Sequence, residues 1–298
     1  MARVSVMQVE ERRAGVRGAI AALGHNPVKN RTVLVKPNFN TADPAPGSTH
    51  NDTLAALIDG LWEMGAASIS LGERSYPPTR LVMEQKGIMP ILEKRQVRVI
   101  DFDDLPEADW VECRPADSHW KDGFRIARPI LEAECLVSTG CLKTHQFGGV
   151  ITLSLKLHVG VVTSFRNGFA YMQELHGSPF QQEMIAEINA PFSPDLIVMD
   201  GIDTFVDGGP ATGKRARGNV VMAATDRVAA DAAGVAMLKH LGSNRVIMDS
   251  DIFDLGQIQR AAELGVGVRS ASQIDLIPAD DASGELTASL KAILAKEQ

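Results

Sequence analysis

Apolar runs that read as strands alternate with stretches of helical spacing along the whole chain, and this alternation restricts the folds open to it. Ala2–Val9 has the alternation of a strand, and Glu11–Leu23 reads as a helix. Thr32–Lys36 (TVLVK) is an apolar strand stopped by Pro37. In Asn51–Met64 the residues Leu54, Leu57, Ile58 and Leu61 share one helical face, and Gly65 ends the element. Ala67–Gly72 and Val97–Phe102 are the next strands, with a helical stretch, Thr79–Lys94, interrupted near Gly87 and Pro90. Glu134–Thr139 follows as a strand, Asp195–Asp200 (DLIVMD) and Asn219–Ala224 (NVVMAA) are two more that are apolar throughout, and Arg227–Leu241 is a helix. A later helix ends within Ala261–Gly265. Strands that are apolar on both sides belong in a parallel sheet covered by helices. The expected fold is therefore α/β and two-lobed, with mostly parallel sheets flanked by helices and a crevice between the lobes. Residues 1–125 would form the first lobe and 126–298 the second. The boundary is set by the polar, Trp-containing excursion Asp109–Phe124.

Composition narrows the function classes. With 298 residues and a net charge of −7, the chain has no basic stripe to meet a nucleic-acid backbone. Aromatic residues make up only 5%, too few for a platform of stacked bases. Cys113, Cys135 and Cys141 contain no CxxC, so this chain alone cannot build a zinc ribbon or an iron–sulfur cluster. No apolar run suits a signal peptide or a membrane span. The expectation is a cytoplasmic protein with no nucleic-acid or membrane partner, for which self-association stays open.

Against that acidic background, residues 139–176 concentrate cations. Of the seven histidines, His145, His158 and His176 fall there, with Lys143, Lys156 and Arg166 nearby and the Gly148-Gly149 pair between them. Donors around glycines suit a small anion. Val150–His158 reads equally as a strand, placing Thr152, Ser154, Lys156 and His158 on one face, or as a helix whose free N–H groups meet an anion at the glycine pair. His158 is the member best explained by local pairing.

Elsewhere, Lys36 and Asn38 stand at a strand exit, where ligands of open α/β sheets sit. Glu73, at the next exit, could act as base or metal ligand; the plainer reading pairs it with Arg74 in solvent. Gly208–Lys214 matches G-x-x-x-x-G-K, but Arg215 follows in place of Ser or Thr and then a strand, so no phosphate loop is expected. A glycine-rich flap over a pocket mouth, or a plain surface turn, remains. Asp200 closes a strand and would point into a crevice. Asp226 reads as a helix N-cap, and Asp231, buried on an Ala-rich helix, would orient a lysine or histidine.

The ordered set KPN (Lys36–Asn38), GE (Gly72–Glu73), CLKTH (Cys141–His145), TLSLK (Thr152–Lys156), DG (Asp200–Gly201), GGPATG (Gly208–Gly213) and TDRVAAD (Thr225–Asp231) resembles the DUF362 family from about Val33 to Gly267. Many members of that family carry an added ferredoxin-like cluster domain, whose cysteines this chain lacks. A fainter likeness is to nickel-pincer lactate racemases, which place a His before a Gly-Gly turn, a cofactor-bearing Lys about ten residues on, and a further His. His145, Gly148-Gly149, Lys156 and His176 resemble that order, but Gly72-Glu73-Arg74-Ser75 stands where those proteins have Gly-Thr-His-Arg.

Together these readings imply an enzyme acting on a small carboxylate or phosphorylated metabolite by proton or hydride transfer at carbon. His145, His176 and Lys156 are its expected catalytic residues. Lys36, Asn38, Lys143, Thr144, Gly148, Gly149, Asp200 and Asp231 are expected to bind substrate. A metal, if bound, would be held among His145, His176 and Glu73, and the racemase likeness implies a pincer-type nucleotide as the other cofactor option. The alternatives are a non-catalytic binder of a small anion or metal, and a redox partner of iron–sulfur relatives.

Overall fold

The apolar runs form strands: β1 (Ala2–Gln8), β2 (Thr32–Lys36), β3 (Ser68–Glu73), β4 (Arg98–Asp101), β5 (Trp110–Cys113), β6 (Phe124–Ala127), β7 (Cys135–His145), β8 (Val150–Thr152), β9 (Leu196–Gly208), β10 (Gly213–Arg217), β11 (Val220–Ala224) and β12 (Ile274–Pro278). The computed structural model describes residues 1–148, 150–165, 168 and 170–296. Ten strands make one mixed sheet in the order β12-β1-β11-β9-β7-β2-β3-β4, with β8 added to β7 and β10 to β9; β5 and β6 pair separately. Pairing is parallel from β9 through β7, β2 and β3 to β4, and β11 is antiparallel to both its neighbours. Strands from both sides of residue 125 thus share one sheet. The region Thr79–Lys94 resolves into two helices, Thr79–Gln85 and Met89–Lys94, that flank Gly87.

Residue alternation on the strands builds two cores. Ile197 and Met199 of β9 point to the face covered by the helix Arg227–His240, whereas Leu196 and Val198 point to the face covered by Arg12–Leu23 and Asn51–Glu63. Leu34 and Leu136 extend the first face beneath Trp120, Phe124 and the helix Gln181–Ile188. Each fully buried Val, Leu or Ile stabilises the fold by about 1.5–3 kcal/mol of transfer free energy, which fixes the strand register because a one-residue slip would exchange the faces. Among the described residues no helix is long and apolar enough to cross a membrane.

Two strands outrun their neighbours. Lys36, the last residue of β2, pairs with Ser138, so β7 continues seven residues beyond it to His145 and returns as β8. β9 likewise runs on past Asp200 to Gly208 and turns back as β10. The sequence-based strands ended at Thr139 and Asp200, before these extensions. The polar residues of these extensions lie in paired hairpins that rise from the carboxyl edge of the sheet.

Candidate active site

A cavity of about 550 Å³ opens at that carboxyl edge, within the range of small-molecule sites and larger than one small carboxylate fills. Its walls come from the exits of β2 (Lys36, Asn38) and β3 (Glu73, Arg74), from β7 and β8 (Lys143, His145, Thr152), from Lys156, Leu157, Val159 and Gly160, and from Met172 and His176. Pro210 and Ala211, in the turn between β9 and β10, also line it, so the glycine-rich segment is a flap over the site and not a plain surface turn. The flap is tied down: Lys143 Nζ donates to Pro210 O at 3.0 Å, and a Cβ on Gly209 would lie 2.1 Å from Thr144 O. Only glycine permits that approach.

The three lysines of the cavity differ in what they touch. Lys36 is 1% exposed and forms an ion pair with Glu73 at 2.6 Å, while also donating to Pro37 O at 2.7 Å. Glu73 accepts further bonds from the N–H groups of Phe39 and Arg74, both at 2.9 Å. Burial pushes the Lys36 ammonium down and the Glu73 carboxyl up, and their mutual attraction opposes both shifts. Gly160 sits against this pair, where a Cβ would be 2.8 Å from Glu73 Oε1 and 2.9 Å from Lys36 Nζ. Lys143 donates to Gly47 O at 2.5 Å and to Pro210 O; burial lowers its pKa. Lys156, 8% exposed, has neither hydrogen bond nor ion pair among the described residues. Burial and the nearby Lys143 bring its pKa down to about 8.

Lys156 is placed by a turn of helix, Ser154–Leu157, that follows β8. Val150–His158 is thus strand first and helix afterwards. The N–H groups of Ser154 and Leu155 donate to Asp231 Oδ1 and Oδ2 at 2.6 and 3.2 Å. That carboxylate takes the place of the anion expected at this helix start, and burial raises its pKa to about 7. Asp231 therefore positions the lysine-bearing turn from behind and does not line the cavity.

Hydrogen bonding fixes the tautomers of the two cavity histidines. Phe147 N–H donates to His145 Nδ1 at 3.2 Å; this nitrogen is bare and Nε2 carries the proton of the neutral ring. Burial, with Lys156 and Lys143 adding repulsion, brings the pKa of His145 to about 2, so the ring is neutral at physiological pH. His176 is the reverse case. Its Nδ1 contacts Met172 O at 2.7 Å, and a carbonyl only accepts, so Nδ1 holds the proton and Nε2 offers a lone pair. Partial enclosure by the cavity and the nearby Lys156 lower its pKa too, opposed by the bond to Met172. The cavity thus holds one imidazole that donates from Nε2 and one that accepts there.

Several expected site residues lie elsewhere. Thr144 points to the opposite side of β7 from Lys143 and His145, with its hydroxyl on Phe205 O and Gly208 O. Gly148 packs against Gln181 outside the lining, and Gly149 and Arg166 lie outside the described residues. Asp200 turns away from the cavity to Arg12 at 2.8 Å, Thr53 at 2.5 Å and Ile202 N at 3.0 Å. The solvent pairing of Glu73 with Arg74 is also overturned. Glu73 is buried against Lys36, while Arg74 donates to Val162 O at 2.6 Å and Val159 O at 3.2 Å. Asp226 caps its helix by accepting from Ala229 N at 2.8 Å. His158 is bonded between Ser138 and Asn189, buried and off the cavity.

Arg74 and Thr152 line the cavity but were not among the site residues expected from the sequence. Arg74 had a signal, since it follows a strand exit. Thr152 shares the alternation of the strand that leads to Lys156, and its buried hydroxyl has no hydrogen-bond partner among the described residues. Glu73 is not free to bind a metal, because both its oxygens are engaged. Among the described residues, no three of His, Cys, Asp and Glu gather as a ligand group. A metal held by three protein side chains does not fit this donor set.

The thylakoid-associated protein sll1697 of Synechocystis sp. is 24% identical over 202 residues, 67% of this chain and 60% of its own length. This chain therefore spans about three fifths of that relative. The lactate racemase apoprotein of Thermoanaerobacterium thermosaccharolyticum aligns in structure with a TM-score of 0.47 and 14% identity, over 78% of this chain and 57% of that one. Residues 33–236, more than half of the chain, match the family described as a domain of unknown function, DUF362, and the protein belongs to it.

Proposed function

We propose that this protein is an enzyme that moves a proton at carbon on a small carboxylate or phosphorylated metabolite. The observation that carries this reading is the pairing of opposite imidazole tautomers within a cation-rich cavity. Removing a proton beside a carboxylate or carbonyl concentrates negative charge on oxygen. Cations and fixed donors aimed at that charge stabilise the transition state more than the ground state. Lys143 and Arg74 hold the anionic group, and Thr152 offers its unpartnered hydroxyl. His176 Nε2 takes the proton, and His145 Nε2–H donates to the developing oxyanion. A base whose pKa lies near or below neutral is already deprotonated in the cell, at some loss of proton affinity.

The test is solvent exchange. The protein is incubated in deuterated water with a panel of 2-hydroxy acids, 2-oxo acids and sugar phosphates, and loss of carbon-bound proton signals is followed by NMR. At least one compound should exchange, and His176→Gln should reduce its rate by about 100-fold or more, the scale of a lost general base. Binding of anions without exchange by any of them would leave a non-catalytic small-anion carrier.

A further inference from the structure

Three lysines enter one cavity, and only one lacks an acceptor among the described residues. Lys36 is bound to Glu73, and Lys143 to two carbonyl oxygens, whereas the Lys156 amine projects from a turn held by Asp231 into the lined space. Holding an anion does not require this. Lys143, Arg74 and the Thr152 hydroxyl already supply charge and donors at the same cavity. A desolvated amine beside a second ammonium is the arrangement that makes a lysine nucleophilic.

We propose that Lys156 forms a Schiff base with the carbonyl of an anionic carbonyl compound, a 2-oxo acid being the simplest class. This deepens, and rests on, the reading of the cavity as an anion site. The nitrogen lone pair attacks the carbonyl carbon, and the carbonyl oxygen takes up two protons and departs as water. A C=N bond replaces C=O with no change in oxidation state. The neighbouring imidazole of His176 relays protons, and the protonated imine withdraws electrons from the adjacent C–H, which His176 then deprotonates. The carboxylate of the substrate meets Lys143. The titratable groups that line the cavity with Lys156 are Lys143 and His145 from β7, His176, Arg74, Tyr76 and the Lys36–Glu73 pair, and Asp231 packs behind its turn. Glu73 is the one carboxyl in the lining, and it is already engaged. With its pKa near 8, about a tenth of Lys156 is a free amine at pH 7, against less than a thousandth for an ordinary lysine.

Reductive trapping tests this. The full chain is incubated with pyruvate and sodium cyanoborohydride at pH 7 and at pH 9, then digested and mapped by mass spectrometry. One adduct on Lys156 is expected, at least ten-fold above that on any other lysine. It should form faster at pH 9 and be suppressed by excess inorganic phosphate. Peptide mapping locates the adduct in the wild type, so the result does not depend on a variant that folds. Lys156→Arg, where folded, should lose the adduct. A parallel melting experiment with phosphate separates the two claims. If phosphate raises the melting temperature while label spreads over surface lysines and spares Lys156, the Schiff base is refuted and the anion site stands. If phosphate neither stabilises nor protects and no label concentrates on Lys156, the anion reading fails and the Schiff base with it.

Discussion

Two polar clusters flank the extended part of β9, and they differ in charge balance. On one side Arg12 lies between Asp200 and Asp203, both at 2.8 Å; Thr53 donates to Asp200, and Arg217 reaches Asp203 at 2.8 Å. Every charge there has an opposite neighbour. In the cavity, by contrast, Lys143, Lys156 and Arg74 share one lining carboxylate, Glu73, which Lys36 already occupies, and Asp43 and Asp103 attract Lys143 and Arg74 only from outside the lining. A buried cluster that closes on itself needs nothing further, and one left with excess charge has a requirement that a ligand can meet. Polarity at a strand end does not separate the two cases, which is why Asp200 looked like a site residue in the sequence. The identity of the partner does.

The largest effect should come from opening the closed cluster. Arg12→Ala leaves Asp200 buried without its cation, and breaking such a pair costs about 3 kcal/mol or more. Lys156→Met should act in the opposite direction, leaving urea stability at pH 7 unchanged or raised by about 1–3 kcal/mol, because it removes an unpaired buried cation. Equal losses in the two variants would end the distinction between the clusters.

A pH scan sharpens the same contrast. Folded Lys156 releases its proton near pH 8, while the unfolded chain keeps it to about 10.5. Between those values the unfolded state binds more protons, so stability attributable to this residue rises with pH, by up to about 3 kcal/mol across the window. Lys36 and Lys143 shift in the same direction and contribute too. The difference between wild type and Lys156→Met isolates the Lys156 part. A difference that stays flat from pH 8 to 10.5 would mean that the ammonium is not desolvated.

Ligand binding should show a smaller effect of the same origin. Inorganic phosphate should raise the melting temperature of the wild type, and Lys143→Ala should remove most of that rise, a loss of about 1–3 kcal/mol in binding for one charged hydrogen bond. An undiminished rise in the variant would move the anion away from β7.

The strands were legible because apolar runs such as TVLVK and DLIVMD need burial on both faces, which a sheet covered by helices on both sides provides; the direction of β11, apolar throughout yet antiparallel to both neighbours, was not. Lys36, Asn38, Lys143, His145, Lys156 and His176 were legible as cavity residues through position and local charge. What escaped was direction. Thr144 and Lys143 are adjacent on β7 and face opposite ways, and the local sequence does not say which face meets the cavity. The pairing of Glu73 with Lys36 also escaped, since residues 37 positions apart become neighbours only through the β2–β3 register. Asp231 was readable as an orienting residue, but its target is backbone and not a side chain.

The smallest expected effects, at His176 and His145, stand against a larger one at His158. His158 is buried between Ser138 and Asn189, with Arg227 also on Asn189 at 3.0 Å. Its replacement by Ala leaves the buried Ser138 hydroxyl without its partner and a void beside Asn189, whose Oδ1 keeps Arg227, and should cost about 2–4 kcal/mol. His176 lies on the exposed side of its helix, with a single bond to Met172 O in the preceding turn. His176→Gln should therefore change stability by less than about 1 kcal/mol, and His145→Gln should do the same because the ring it removes is neutral and Gln retains an amide donor. Denaturation of the three variants side by side is the measurement. A loss at His176 as large as that at His158 would make it part of the scaffold, and the base assigned to the cavity would have to be sought elsewhere.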